Sequence, residues 1–183
     1  MDNGGVIVIT GAMAAGKSTV AQALAKRLPR AAHVRGDLFR RMIVSGRADF
    51  GHPPSAEAEA QLALRYRLAA TVADEYARAG FTAIVQDVIL GADLARFVDL
   101  LTARPRHVVV LAPRVEVLAE REELRPKQGY GEWTPADLDS SLRAETPRIG
   151  LWLDTSDQTP EETVDAILAG LPEAASRDRP EPA

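Results

Sequence analysis

Residues 11–18 read GAMAAGKS, which satisfies the spacing GxxxxGK[ST]. Gly11 and Gly16 let the backbone curl so that successive N–H groups turn inward, a cradle for phosphate oxygens, and a helix starting behind Gly16 adds its positive end. Lys17 brings a point charge to the β- and γ-phosphates, and the Ser18 hydroxyl is an oxygen donor for Mg²⁺. The expected nucleotide-binding set is therefore Gly11, Ala12, Met13, Ala14, Ala15, Gly16, Lys17, Ser18 and Thr19.

Two carboxylates and two guanidinium groups extend this chemistry. Asp37 follows a short apolar run and precedes a helical pattern, which suits a carboxylate that orients an acceptor hydroxyl and takes its proton; the same position suits an N-cap of the helix. Asp87 follows the apolar run Ala83-Ile84-Val85, where an acid holds Mg²⁺ directly or through water; its plainer role is a turn residue. Arg121 and Arg125 lie one helical turn apart before a glycine-containing loop. They are candidates for closing over a triphosphate, although Glu120, Glu122 and Glu123 also make them an ordinary charged face. Arg35, Arg40, Arg41 and Arg47 supply cations near Asp37. His33, His52 and His107 lack metal-ligand spacing, Tyr66 and Tyr76 fit the core side of a helix, and Tyr130 or Trp133 is a candidate cover for a ligand.

These residues need elements to hold them. The loop sits between an apolar strand, Val6 to Thr10, and a helix from Thr19 to Leu28. A second strand, Ala31 to Arg35, leads into a helix from Leu38 to Val44. Ser55 caps a long helix to about Ala79, closed by Gly80, and Phe81 to Gln86 is the third strand. Asp93 caps a helix to about Thr102, His107 to Leu111 is the fourth strand, and Pro113 opens a helix to about Leu124. Thr134-Pro135-Ala136-Asp137 and Thr159-Pro160-Glu161-Glu162 both read as helix starts, with the fifth strand, Gly150 to Leu153, between them. Strands alternating with helices argue a parallel sheet covered on both faces, and such sheets collect ligands at the carboxyl ends of their strands.

At 183 residues, with 46% hydrophobic and 26% charged residues, the chain fits one domain, expected over 1–171 with a lid at about 114–133 and a disordered Pro-rich tail at 172–183. A net charge of −4 gives no global attraction to nucleic acid or an anionic membrane. No run is apolar over the roughly 18 to 20 residues of a spanning helix. The opening MDNGG lacks a basic n-region, and zero cysteines suit a reducing compartment, so a soluble cytoplasmic protein is expected.

With the loop, Asp37 and the segment Gln86-Asp87-Val88-Ile89-Leu90-Gly91, residues 4–170 resemble the chloramphenicol phosphotransferase-like group of small P-loop kinases. The resemblance implies an adenylate-kinase-like five-stranded sheet in the order 2-3-1-4-5, and ATP-dependent phosphorylation of a small-molecule hydroxyl. It matches the family's acid after the second strand to Asp37 and its acidic DV, followed by Leu-Gly, to Asp87-Val88 and Leu90-Gly91. Its arginine-bearing lid resembles residues 114–130, and Asp154-Thr155-Ser156 resembles the loop that runs near the adenine. Residues 45–58 depart from the acceptor region of the enzyme that gives the group its name, so the acceptor stays open. The expectation is a kinase using ATP and Mg²⁺ on an antibiotic or other natural product, with no nucleic-acid or membrane partner and no oligomeric state implied. The alternatives are a kinase of central metabolism acting on a nucleoside, sugar acid or shikimate-like acceptor, and a nucleotide-driven switch or ATPase module.

Overall fold

A run of six wholly buried residues, Val6–Gly11, forms strand β1, the middle of the sheet. The computed structural model describes residues 4–51, 53–124 and 133–171. After β1 come helix α1 (Lys17–Arg27), β2 (Ala31–Arg35), α2 (Gly36–Met42), α3 (Ala56–Arg78), β3 (Thr82–Gln86) and α4 (Ala92–Leu100). The chain continues through β4 (Arg106–Leu111), α5 (Val115–Glu123), α6 (Pro135–Glu145), β5 (Leu151–Leu153) and α7 (Pro160–Gly170). The five strands form one parallel sheet in the order β2-β3-β1-β4-β5, the order implied by the family resemblance.

Side-chain alternation divides the core between the two faces. Val6, Val8 and Val85 pack with Tyr66, Ala69, Ala73, Phe97 and Leu142 on one face. Ile7, Ile9, Ile84 and Val109 pack with Leu24, Leu118 and Ile167 on the other. The alanines of α3 form the stripe it lays on the sheet, so this helix lies close to the strands whose ends it serves. Register then aligns those ends: Ile9 pairs with Gln86 and Gln86 with Arg35, so Thr10, Asp87 and Gly36 emerge side by side on one rim.

Several expected boundaries move, each for a local reason. Helix α1 begins at Lys17, not Thr19, because Gly16 at φ 90° serves as its N-cap and turns the chain directly into the helix. Helix α2 spans Gly36–Met42 rather than Leu38–Val44, with Arg35 as N-cap, so Asp37 is not a cap. The close seat of Gly36 on Asp87, where a Cβ would strike the carboxylate, starts the helix that early. Asp93 lies in the first turn of α4, whose N-cap is Gly91 at φ 56°. Arg114, not Pro113, precedes α5. Strand β5 begins after Gly150, where a Cβ would collide with the Val108 carbonyl oxygen. Thr134 and Thr159 do cap α6 and α7, each in a reciprocal capping box with Asp137 or Glu162. Of the two tyrosines expected in the core, Tyr66 is buried, whereas Tyr76 is 43% exposed and meets Phe81 edge-on.

Candidate phosphate-binding and transfer site

The phosphate loop is built by backbone conformations that side chains resist. Gly11 sits at φ 146°, with the Leu111 carbonyl oxygen where a Cβ would go; Ala14 at φ 61° and Gly16 at φ 90° complete the turn. No side chain caps the α1 N-terminus, which leaves its first N–H groups to an anion. Lys17 is buried, and its Nζ donates to the carbonyl oxygens of Gly11 (3.0 Å) and Ala12 (2.7 Å). Ser18 and Thr19 are exposed at the head of the helix, and Met13 is half-buried beside them.

Asp87 is the most enclosed charge of the rim, with a side chain 2% exposed. Arg65 of α3 grips it with a fork: Nε donates to Oδ2 at 2.6 Å and Nη2 to Oδ1, while the Val88 N–H donates to Oδ1 at 2.7 Å. Burial pushes the Asp87 carboxyl above its ordinary range, and the charges of Arg65 and Lys17 oppose that push. The next residue of α3, Tyr66, donates its hydroxyl to the Val88 carbonyl (2.9 Å), and burial raises its phenol well above the usual range. Arg65 was not singled out in the sequence. Three arginines, Arg65, Arg67 and Arg78, lie between 60 and 80, and nothing in their spacing separates the one that reaches the sheet from those that face solvent.

Asp37 stands beside this pair in more open surroundings. Its Oδ2 accepts from Arg41 at 2.7 Å, the Arg35 Nε is 3.7 Å from Oδ1, and Oδ1 is buried with no hydrogen-bond partner among the described residues. Arg40 is drawn away to Asp49, and Arg47 is exposed. The segment after α2 hangs on α3: the Gln61 amide donates to the Gly46 carbonyl oxygen (2.8 Å) and accepts from the Ala48 N–H (2.9 Å). Phe50 from the same segment closes one side of a cavity of about 500 Å³ between α3 and α4, floored by Leu62, Tyr66, Phe97 and Leu100.

Of the expected lid arginines, Arg121 donates to the Thr155 carbonyl oxygen at 3.1 Å, and Arg125 lies outside the described residues, as do Tyr130 and the tail 172–183. The start of α5 is tied to the same loop, with Arg114 bidentate on Asp157 (2.9 and 2.8 Å) and its N–H on Ser156 Oγ (2.7 Å). Trp133 packs against the core cluster that contains Leu24 and Leu118, a structural contact rather than an open cover. Arg143 of α6 donates to the Pro113 carbonyl oxygen (3.0 Å) and is a cation near the α5 entry that the sequence reading passed over.

Among the described residues no three His, Asp or Glu side chains gather into an all-protein metal cage. The oxygen donors at the rim, the Ser18 hydroxyl and the Asp87 carboxylate, still fit Mg²⁺, which takes one or two protein oxygens and completes its shell with waters and phosphate. Because Arg65 and the Val88 N–H already engage both Asp87 oxygens, the arrangement suits contact through water. No helix of the described residues is long and apolar enough to cross a membrane.

A sequence model of the family described as an AAA domain matches residues 6–147. No curated protein matches the chain. Among solved structures, a sugar kinase from Janibacter sp. HTCC2649 is 22% identical with a TM-score of 0.68, over 93% of this chain and 96% of that one. The APS kinase of Mycobacterium tuberculosis in complex with AMPPNP and APS is 19% identical, with a TM-score of 0.68 over 94% and 99%. The tunicamycin resistance protein of Deinococcus radiodurans is 18% identical, with a TM-score of 0.67 over 96% and 100%. At these identities the likeness is one of fold.

Proposed function

Since this chain belongs to the AAA domain family, we propose that it is an ATP-dependent phosphotransferase that moves the γ-phosphate to a hydroxyl of a small molecule. The observation that carries this reading is the Asp37 carboxylate. It shares the rim with the phosphate loop and keeps one oxygen with no hydrogen-bond partner among the described residues, which suits a hydroxyl donor. A switch or ATPase module needs no such group on the acceptor side.

In this reading the N–H groups of residues 11–19 hold the phosphates. Lys17 leaves its two carbonyl partners to neutralise phosphate charge, and Asp37 orients the acceptor hydroxyl and takes its proton. Ser18, and Asp87 through water, would hold Mg²⁺, which would supply charge neutralisation at the phosphates. Arg121 and Arg125 belong to a lid over 114–133 that excludes water, and the ties of Arg114 and Arg121 to the 154–157 loop support a lid hinged on the nucleotide side.

An antibiotic or other natural product is the acceptor class we favour, in line with the resistance protein of the same fold. A sugar acid is the second reading, supported by Arg35 and Arg41 flanking Asp37 and by the sugar kinase fold. Incubation with Mg·ATP and panels of neutral and anionic hydroxyl compounds, followed by mass spectrometry, should give a product heavier by one phosphoryl group. Lys17→Ala should fold as wild type and lose that product by roughly 10²-fold or more. Acceptor-independent ATP hydrolysis with no phosphorylated product would sink the reading.

A further inference from the structure

We propose that Arg65 is a positioning residue for the phosphate-binding lysine: by taking both oxygens of Asp87, it keeps that buried carboxylate from drawing Lys17 off the phosphates. A carboxylate enclosed to 2% exposure stays ionised only beside a cationic partner, so one that loses its partner draws on the nearest cation available. Among the described residues two cations are near. Lys17 is close enough for its charge to bear on Asp87, yet its ammonium rests on the carbonyl oxygens of Gly11 and Ala12. Arg65 makes the contact instead, because a planar fork meets both carboxylate oxygens at once and an ammonium is a single point.

The rest of the rim keeps the fork in place. Arg65 is itself only 16% exposed, Tyr66 beside it is tied to the Val88 carbonyl, and Gly36 presses on the carboxylate from α2. The carbonyl oxygens of Gly11 and Ala12 under the ammonium are neutral, weak partners that an arriving phosphate can replace, so these two contacts do not hold the lysine back. Without Arg65 it would be engaged in a buried ion pair that nucleotide binding must break.

The inference rests on the nucleotide reading of the loop. Calorimetric titration of the full chain with ATP in excess EDTA tests it, because metal and acceptor then play no part, and thermal unfolding of each variant monitors the fold. Arg65→Met should weaken metal-free ATP binding about tenfold or more, and adding Asp87→Asn should restore it to within about threefold of wild type. In the Arg65→Met background, Lys17→Met should cost far less affinity than in wild type, the signature of a lysine already diverted. If Arg65→Met does not fold, Arg65→Lys carries the test, since it keeps the cation and loses the fork; an intermediate loss, again restored by Asp87→Asn, is expected.

Folded Arg65 variants with wild-type affinity would overturn the inference. So would a loss that Asp87→Asn leaves in place while the cost of Lys17→Met is unchanged, because Arg65 would then be scaffold alone. A wild-type chain that binds no ATP would overturn the nucleotide reading and the inference with it, an outcome visible before any variant is made.

Discussion

Asp37 and Asp87 follow neighbouring strands and each holds an arginine, Asp37 one from its own helix α2 and Asp87 one from α3, yet the Asp87 side chain is 2% exposed and that of Asp37 is 31% exposed. Their arginines differ likewise, at 16% for Arg65 and 62% for Arg41. A buried, bidentate pair is costly to break, because whichever partner remains is a stranded charge. A half-exposed pair is worth little, because water and other ligands replace either partner at small cost. The same two residue types thus make a fixed joint after β3 and an exchangeable one after β2. In the proposed reaction, fixed charge suits the phosphate side, whose geometry serves every turnover. Exchangeable charge suits the acceptor side, where a hydroxyl must find a carboxylate oxygen it can reach.

The sharpest way to break this contrast is Asp37→Asn. If Asp37 is the exchangeable base, the variant should bind ATP as wild type and lose transfer by roughly 10²–10⁴-fold, because an amide holds a hydroxyl but cannot take its proton. Asp37 caps no helix, so the structural loss is confined to its contacts with Arg41 and Arg35 and to a favourable charge in the first turn of α2. A nucleotide titration and a transfer assay on one preparation decide it, and full transfer would return Asp37 to a surface role.

Gly36→Ala probes the fixed joint from the other side. Its backbone is not in the left-handed region, so the nearest obstacle to a side chain is the Asp87 carboxylate directly against it. Overpacking of this kind costs about 1–3 kcal/mol, measured by denaturant unfolding. A neutral result would mean that Asp87 can swing aside, and the joint would not be fixed.

What was legible in the sequence follows the same division. The buried strands announced themselves as apolar runs, and the phosphate loop as a spacing that few other structures need; both are local signals. Asp37 and Asp87 were placed on the rim because strand ends can be read from where those runs stop. Arg65 was not legible, because its role is set by α3 crossing the end of β3, a tertiary relation 22 residues away in sequence that leaves no periodic trace. The start of α2 was missed for a related reason: a glycine chosen for its contact with Asp87 looked like ordinary turn punctuation ahead of a capping aspartate. The acceptor segment 45–58 gave no period. Its described part is held largely by Gln61 and Arg40, polar contacts made across the fold that hydrophobic patterning does not report.

The smallest expected effect is that of Arg41→Ala, and it tests whether the joint at Asp37 is as loose as its exposure implies. The pair spans one turn of α2, with 62% of the arginine side chain in solvent, so its loss should change stability by less than about 1 kcal/mol. On a neutral acceptor, transfer should stay within about threefold of wild type, since the hydroxyl meets the Asp37 oxygen that Arg41 does not hold. On an anionic acceptor, KM should rise while kcat holds, because a cation that binds the ground state and the transition state alike contributes uniformly to both. Unfolding curves and initial rates on one acceptor of each charge separate these outcomes. A stability loss above about 2 kcal/mol would place the Asp37 pair beside the Asp87 pair as a structural joint. A tenfold fall in kcat on a neutral acceptor would place Arg41 at the reacting atoms, and in either case the contrast between the two carboxylates would fail.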